Sequence, residues 1–158
     1  MNKKNIFKLI LDIVMLVLFV TFFDKNLISF KFHIMSGLVF GVLILIHMLL
    51  NKKWIINISK RLFDKNLKTR TKVSYIISAI LFVMVFLIIL SGILMMKATD
   101  YDKIALWRMI HIGASYLSIV LIGVHVGLCW RFISGMLKKV FAWFKGIIML
   151  KLNTYMER

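Results

Sequence analysis

Apolar residues fall into four long runs along this chain, separated by polar or strongly basic stretches. The runs cover about residues 9–23, 32–50, 73–96 and 107–134. A helix that crosses a hydrocarbon core of about 30 Å needs roughly 20 mostly apolar residues. The pattern therefore predicts an all-α integral membrane protein whose residues 1–135 form a bundle of four transmembrane helices.

The composition agrees with a membrane location. Of the 158 residues, 61% are hydrophobic, and the mean hydropathy is +0.92, which is more apolar than a soluble domain of this size. The formal net charge is +16. Because the basic residues lie between the apolar runs, this charge favours contact with anionic lipids over binding to nucleic acid. We therefore expect membrane lipid as a partner and no nucleic acid.

Two segments outside the apolar runs are basic and contain interleaved apolar or aromatic residues. They are residues 51–72, which carry eight Lys or Arg residues, and the tail, residues 136–158. Both are typical of amphipathic segments at a membrane surface. A charged start followed by an apolar run also suits a signal peptide, but no small-residue cleavage site follows Phe23. We therefore interpret the first run as a retained helix.

The distribution of Lys and Arg predicts the orientation of the bundle. Seventeen of the 22 such residues lie before residue 9, within residues 51–72 or after residue 130, and these regions share one side of a four-helix bundle. Basic loops stay on the cytoplasmic side of a membrane. We therefore expect a multi-pass protein of the cell membrane with both termini, and the tail, in the cytoplasm. The second and fourth helices then both run from outside to inside.

The four histidines occur in two equally spaced pairs. His33 and His47 lie in the second apolar run, His111 and His125 lie in the fourth, and the members of each pair are 14 positions apart. Fourteen helical residues rise about 21 Å and end roughly 40° short of four full turns, so each pair shares one helix face at two depths. On parallel helices, His33 meets His111 in an outer tier, and His47 meets His125 in an inner tier.

Two tiers of paired histidines are typical of the axial ligands of two stacked haems. A haem ring supplies four nitrogens to its iron and needs further ligands from its two faces. The chain has no Cys-x-x-Cys-His sequence, so the expected cofactor is two non-covalent haem b groups with cytochrome b-like bis-histidine ligation. A shared zinc or copper ion fits less well, because histidines about 21 Å apart on one helix cannot bind it together. The alternative is that the imidazoles only hydrogen-bond between helices.

Two further residues are candidates for cofactor binding. Gly41 lies midway along the second run, where a missing side chain lets a flat macrocycle approach the backbone. The Gly37-x-x-x-Gly41 spacing also suits close helix packing, and both interpretations stay open. Arg108 lies one turn before His111 and is the best candidate to bind an anionic haem propionate. The alternative is a flanking charge that only sets the topology.

Asp12 is the one acidic residue inside an apolar run. We expect it to pair with Lys8, one helical turn away; relay of protons to a quinone is the alternative. Cys129 is expected to pack, since a single cysteine forms no internal disulfide. Several hydroxyl groups near the histidines are expected to pack or to bond ligand N–H groups, namely Ser36, Ser115, Ser118 and Tyr116.

Four stretches of the chain resemble the flavinylation-associated cytochrome family, a small four-helix membrane domain. They are His47-Met-Leu-Leu-Asn-Lys-Lys-Trp54, Leu90-Ser-Gly-Ile-Leu-Met-Met-Lys97, Trp107-Arg-Met-Ile-His111 and His125-Val-Gly-Leu-Cys-Trp130. The resemblance covers about residues 5–135. It implies transfer of electrons across the membrane, from the quinone pool to extracytosolic flavin-carrying proteins.

The resulting hypothesis is a di-haem electron conduit. Electrons would enter at the inner tier from a quinol or a cytoplasmic donor and leave at the outer tier to a flavin or metal partner. No nucleotide-binding fingerprint is present, so the chain is expected to be an electron-transfer subunit rather than a complete enzyme. The alternatives are a haem-free membrane anchor or assembly subunit, and a small transporter of haem or metal ions.

Overall fold

The computed structural model describes residues 3–24 and 29–156, and these residues form four α-helices in up-and-down order. The helices are α1 (Lys3–Thr21), α2 (Phe30–Arg61), α3 (Thr69–Lys97) and α4 (Tyr101–Met156). The prediction of an all-α protein is confirmed. Lys25 and Arg158, which contributed to the predicted orientation, lie outside the described residues.

Two helices continue well beyond the apolar runs that predicted them. The 32-residue α2 includes the first part of the basic connection, and the 56-residue α4 includes the tail as far as Met156. The tail is therefore an extension of α4 rather than a separate helix. The chain contains no proline, and Lys, Arg, Leu and Met are good helix formers, so nothing ends either helix where its apolar face ends. At about 1.5 Å per residue, α4 is roughly 84 Å long, far more than a bilayer core.

Polar side chains form hydrogen bonds where the helices begin and end. Ser29 caps α2 by accepting a hydrogen bond from the N–H of Phe32 at 3.3 Å. Between α2 and α3, Asp64 accepts hydrogen bonds from the N–H of Asn66 at 2.9 Å and from Arg61 at 3.1 Å. Together these two contacts hold the pKa of the Asp64 carboxyl below its usual value, and the hydrogen bond from Asn66 contributes more than that from Arg61.

The connection between α3 and α4 is shorter than its sequence suggested. Asp100 accepts a hydrogen bond from the N–H of Asp102 at 3.0 Å, and α4 begins at Tyr101 rather than at about Trp107. Only three residues separate the two helices. This tight turn makes α3 and α4 antiparallel neighbours, which pack more extensively than any other pair.

The packing of the helices leaves one pair apart. α1 packs on α2, α2 packs on α3, and α1 touches α4, but across the described residues no Cα atom of α2 comes within 8 Å of one of α4. The two helices that carry the histidines therefore lie diagonally across the bundle. They face each other across a gap that side chains or a ligand must fill.

The apolar core fills the middle of the bundle. Phe19 of α1, Phe40 of α2 and Val85 of α3 are buried together, and Ile122 of α4 packs against them. Phe40 lies seven residues from each histidine of α2. The core thus separates the level of His33 from that of His47.

Large apolar side chains cover the outside of the bundle, as expected for a surface in contact with lipid. Val39, Phe86 and Val120 are more than half exposed. Among the described residues, the helices long and apolar enough to cross a membrane are Phe30–Arg61, Thr69–Lys97 and Tyr101–Trp143. α1 is shorter, at 19 residues, and has Lys8 and Asp12 within it. Its role as a fourth span stays a prediction.

Candidate functional site

At one end of the bundle, an imidazole from α2 faces an imidazole from α4. The ring centroids of His33 and His111 are 6.1 Å apart and their planes meet at 64°. Because a metal–imidazole bond is about 2 Å long, two rings on opposite faces of one haem iron have centroids roughly 6 Å apart. The ring of Phe22 packs on that of His33 in a T-shaped arrangement, with the ring centroids 5.6 Å apart, and closes the site on the α1 side.

Hydrogen bonds fix which nitrogen of His111 carries the proton. Its Nδ1 lies 2.8 Å from the backbone oxygen of Ile88, and a carbonyl oxygen only accepts, so Nδ1 is the donor. Ser91 lies 3.2 Å from the same nitrogen, and its hydroxyl already donates to the oxygen of Leu87. The Nε2 atom of His111 is therefore left with its lone pair, as an iron ligand requires. Gly92 of α3 lies beside the same ring, since a Cβ atom there would be in ordinary van der Waals contact with Cε1 of His111, at 3.5 Å.

His125 has the same tautomer at the other end of the bundle. Its Nδ1 lies 3.2 Å from the hydroxyl oxygen of Ser78. That hydroxyl uses its one hydrogen in a 2.7 Å bond to the oxygen of Ser74, so it accepts from His125. Nε2 of His125 again keeps the lone pair. His47 and Asp12 both lie within electrostatic range of this imidazole.

His47 lies in a hydrogen-bonded chain with three other polar side chains. Lys8 donates to Oδ1 of Asn51 at 2.6 Å, which orients the Asn51 amide because an ammonium group only donates. The Nδ2 group of Asn51 then lies 3.3 Å from Nε2 of His47, and Nδ1 of His47 lies 2.8 Å from Oδ1 of Asp12. Each donor in the chain meets an acceptor only if His47 carries its proton on Nδ1. His47 therefore has the tautomer found for His111 and His125.

The predicted pairing of Asp12 with Lys8 is replaced by these contacts. Asp12 binds the imidazole of His47, and Lys8 binds Asn51, so both residues of α1 reach across to α2. The rotation of α1 about its axis, set by the packing of Phe19 in the core, decides this choice. The two groups both lie near His47, where α1 packs on α2.

The other predicted cofactor residues have different surroundings. A Cβ atom on Gly41 would lie 2.8 Å from Cδ1 of Ile89, so Gly41 lies against α3. Arg108 is exposed near the N-terminal end of α4, where it lines a recess of about 270 Å³ together with Tyr101 and Met109. Both cofactor assignments stay predictions.

Sequence reasoning missed the two serines of α3 that bond histidines. Ser78 and Ser91 are 13 residues apart, almost the spacing of the histidines, and this match was the available signal. The hydroxyls of Ser36, Ser115 and Ser118 instead donate to carbonyl oxygens of their own helices, at 2.6, 2.7 and 2.8 Å. In the same region as Ser78, Cys129 is hydrogen-bonded to the side chain of Ser74.

The donor set fits a haem better than a bare metal ion. No group of three or more His, Cys, Asp or Glu side chains among the described residues is arranged to hold a metal ion. A haem iron needs only the two axial ligands from the protein. His111 and His125 each present a free Nε2 lone pair, and the ring of His33 faces that of His111. Nε2 of His47 accepts from the Asn51 amide, a 3.3 Å contact that an iron ligated there would replace. The fold and the site thus define a class, helical membrane proteins that present paired imidazoles inside the bilayer.

Comparison with known families agrees with this class. A sequence model of the prokaryotic cytochrome b561 family matches residues 6–139, and the chain belongs to that family. No curated protein and no solved structure gives a match. Family membership indicates transmembrane electron transfer and implies haem b, and with three apolar helices it indicates a multi-pass membrane protein in contact with lipid.

Proposed function

We propose that this protein conducts electrons across the membrane through two haem b groups, one in each tier of histidines. The observation that carries the proposal is the pair His33 and His111, whose rings face each other at 6.1 Å between helices that stand apart. His111 presents an Nε2 lone pair there. His47 and His125 each lie 14 positions after the first histidine of their helix, and both carry the proton on Nδ1. These two features support a second site.

The chain's own residues have separate tasks in such a conduit. When bound, each haem supplies an iron that accepts and gives up one electron. The four histidines would hold the irons, and the Nδ1 contacts orient their rings. Phe19, Phe40 and Val85 exclude water between the tiers. Two sites along α2 and α4, about 21 Å apart along each helix, divide one long electron-transfer distance into shorter ones.

The orientation of the conduit follows from charge. α2 and α4 run in the same direction, and their basic extensions leave the bundle at the end that holds His47 and His125. Basic segments favour the cytoplasmic side, so this end is the inner one. With α1 as a fourth span, both termini are cytoplasmic. The exposed Arg108 at the opposite end then lies on the outside, near His111.

The partners are proposed from the resemblance noted in the sequence. The flavinylation-associated type of cytochrome would pass electrons from the quinone pool, or from a cytoplasmic donor, to a flavin-carrying protein outside the cell membrane. The exposed outer recess beside Arg108 is available to such a partner. The chain would then act as one subunit of an oxidoreductase system.

The test is a pyridine haemochrome assay with reduced-minus-oxidised spectra on protein purified with haem available. We expect about two b-type haems per chain in the wild type. His33→Ala and His47→Ala should each remove one haem, because each removes one axial ligand. Ser36→Ala is a matched control on the same helix, since the Ser36 hydroxyl donates only within α2.

The possible results distinguish the electron conduit from a membrane anchor and from a transporter. Two low-spin haems, with one lost per histidine variant and both kept in Ser36→Ala, would support the conduit. A wild-type protein without haem would overturn it and favour a membrane anchor whose histidines only join helices. Exchangeable haem well below one per chain would favour a transporter.

A further inference from the structure

Three of the four imidazoles have a described Nδ1 partner, and the three partners differ in kind. Nδ1 of His111 donates to a backbone carbonyl, and Nδ1 of His125 donates to a hydroxyl. Nδ1 of His47 donates to the carboxylate of Asp12 at 2.8 Å. Of the six acidic residues in the chain, Asp12 alone lies inside an apolar run. Among the hydrogen bonds described for the histidine rings, the one to Asp12 has a negatively charged acceptor.

The hydrogen-bond chain around His47 keeps Asp12 in this role. Asn51 is fixed by Lys8, and its amide occupies the side of the imidazole opposite Asp12. The ring therefore cannot turn over without breaking contacts at both nitrogens. Asn51 also donates to the backbone oxygen of His47 at 3.0 Å, which ties the amide to the same helix turn. Asp12 thus contacts Nδ1, and the proposed iron would bind the opposite nitrogen, Nε2. Iron there would replace the 3.3 Å contact of the Asn51 amide and leave the 2.8 Å contact with Asp12 in place.

A carboxylate at this position changes the imidazole as a ligand. A hydrogen bond from Nδ1–H to a carboxylate raises the basicity of the ring, so the other nitrogen becomes a stronger donor to a metal. A stronger donor stabilises the oxidised iron more than the reduced iron, and second-shell hydrogen bonding is one of the means by which proteins set haem potentials. A carbonyl or hydroxyl acceptor has the same effect only weakly, because it carries no charge.

We propose that Asp12 is a positioning residue that lowers the reduction potential of the haem held by His47 below that of the haem held by His33 and His111. The inference rests on the proposed di-haem function. Electrons that enter at the inner tier would then move to a more oxidising outer tier. Asp12 would in this way favour outward electron flow without touching the haem or any substrate.

The experiment is a redox titration of Asp12→Asn, followed through the α-band of each haem at fixed pH. The amide is the same size as the carboxylate but neutral. We expect both haems to remain, and the equilibrium constant for reduction of the inner haem to rise about tenfold, equivalent to 59 mV for a one-electron couple. The outer haem should move much less. Asp12→Glu, which keeps the charge, should stay close to the wild-type potential.

Asp64→Asn is the matched control for loss of one negative charge. Asp64 lies in the α2–α3 connection and bonds Arg61 and Asn66, with no contact to a histidine. Asp64→Asn should leave the reduction potentials of both haems unchanged. Equal shifts of both haems in Asp12→Asn, a comparable shift in Asp64→Asn, or a shift in Asp12→Glu as large as in Asp12→Asn would each overturn the proposal.

Two other outcomes have separate meanings. Two haems of unchanged potential in Asp12→Asn would overturn the role of Asp12 and leave the conduit intact. Loss of the inner haem would have the same meaning, because the neutral amide should still support the histidine as a ligand. A wild-type protein without haem would overturn the proposed function and this inference together. The nitrogen-15 shifts of His47 in haem-free protein give a second readout, because Asp12→Ala should weaken the preference for the Nδ1–H form.

Discussion

The two tiers have the same proposed ligands, histidines at equal spacing, but different surroundings. In the inner tier, His47 lies within a chain of Lys8, Asn51 and Asp12, so a formal charge stands at each end of its hydrogen bonds. In the outer tier, His111 bonds a backbone carbonyl and His33 packs against the ring of Phe22. Identical ligands can therefore serve sites of different potential, because the atoms behind the ligands differ.

The largest expected effect comes from removing the α4 histidine of each tier. His111→Ala should remove the haem of higher potential and His125→Ala the haem of lower potential, because each substitution leaves one tier intact. Redox titration of each variant, with haem counted by the pyridine assay, tests this assignment. Loss of the lower-potential haem in His111→Ala would reverse the order of the tiers.

The next effect concerns the uncharged acceptors on α3. Ser78→Ala removes the acceptor for Nδ1 of His125 and leaves a part-buried N–H group without that partner, which costs about 1–3 kcal/mol. Ser91→Ala should cost much less, because the carbonyl oxygen of Ile88 still accepts from His111. Thermal unfolding of the haem-loaded variants measures the difference. Equal losses would mean that the serines act through helix packing rather than through the histidines.

The sequence allowed prediction of the elements that depend on periodicity and on polarity inside the membrane. Histidine is costly in a bilayer, so four of them at equal spacing on apolar runs restrict the arrangement strongly. Because the helices are apolar and 3.6 residues make a turn, the facing of His33 and His111 followed from spacing and helix direction alone.

Contacts that depend on how one helix is rotated against another did not follow from the sequence. In the sequence, Asp12 lies one helical turn from Lys8, but its partner in the structure is His47 of α2, at 2.8 Å. The choice depends on how α1 is rotated against α2. The ends of α2 and α4 were also missed, since their basic amphipathic extensions were interpreted as segments separate from the spanning helices. Neither extension contains proline, so nothing in the sequence marks a break.

The smallest expected effect tests whether the glycines of α2 serve the cofactor or the packing of helices. A Cβ atom on Gly37 would meet nothing within 4 Å, so Gly37→Ala should stabilise the protein by about 0.5–1 kcal/mol through helix propensity. Gly41→Ala should be close to neutral, because the same gain is offset by displacing Cδ1 of Ile89, the flexible end of a side chain.

Both glycine variants should keep the spectra of two haems, and denaturant unfolding gives the stability difference. Gly41 lies between the tiers along α2 but against α3, away from the gap between α2 and α4. A change in one Soret band in Gly41→Ala would place this glycine beside a haem, as its position in the sequence first indicated. Unchanged Soret bands, together with a free energy of unfolding that differs measurably from that of Gly37→Ala, would assign Gly41 to the contact of α2 with α3.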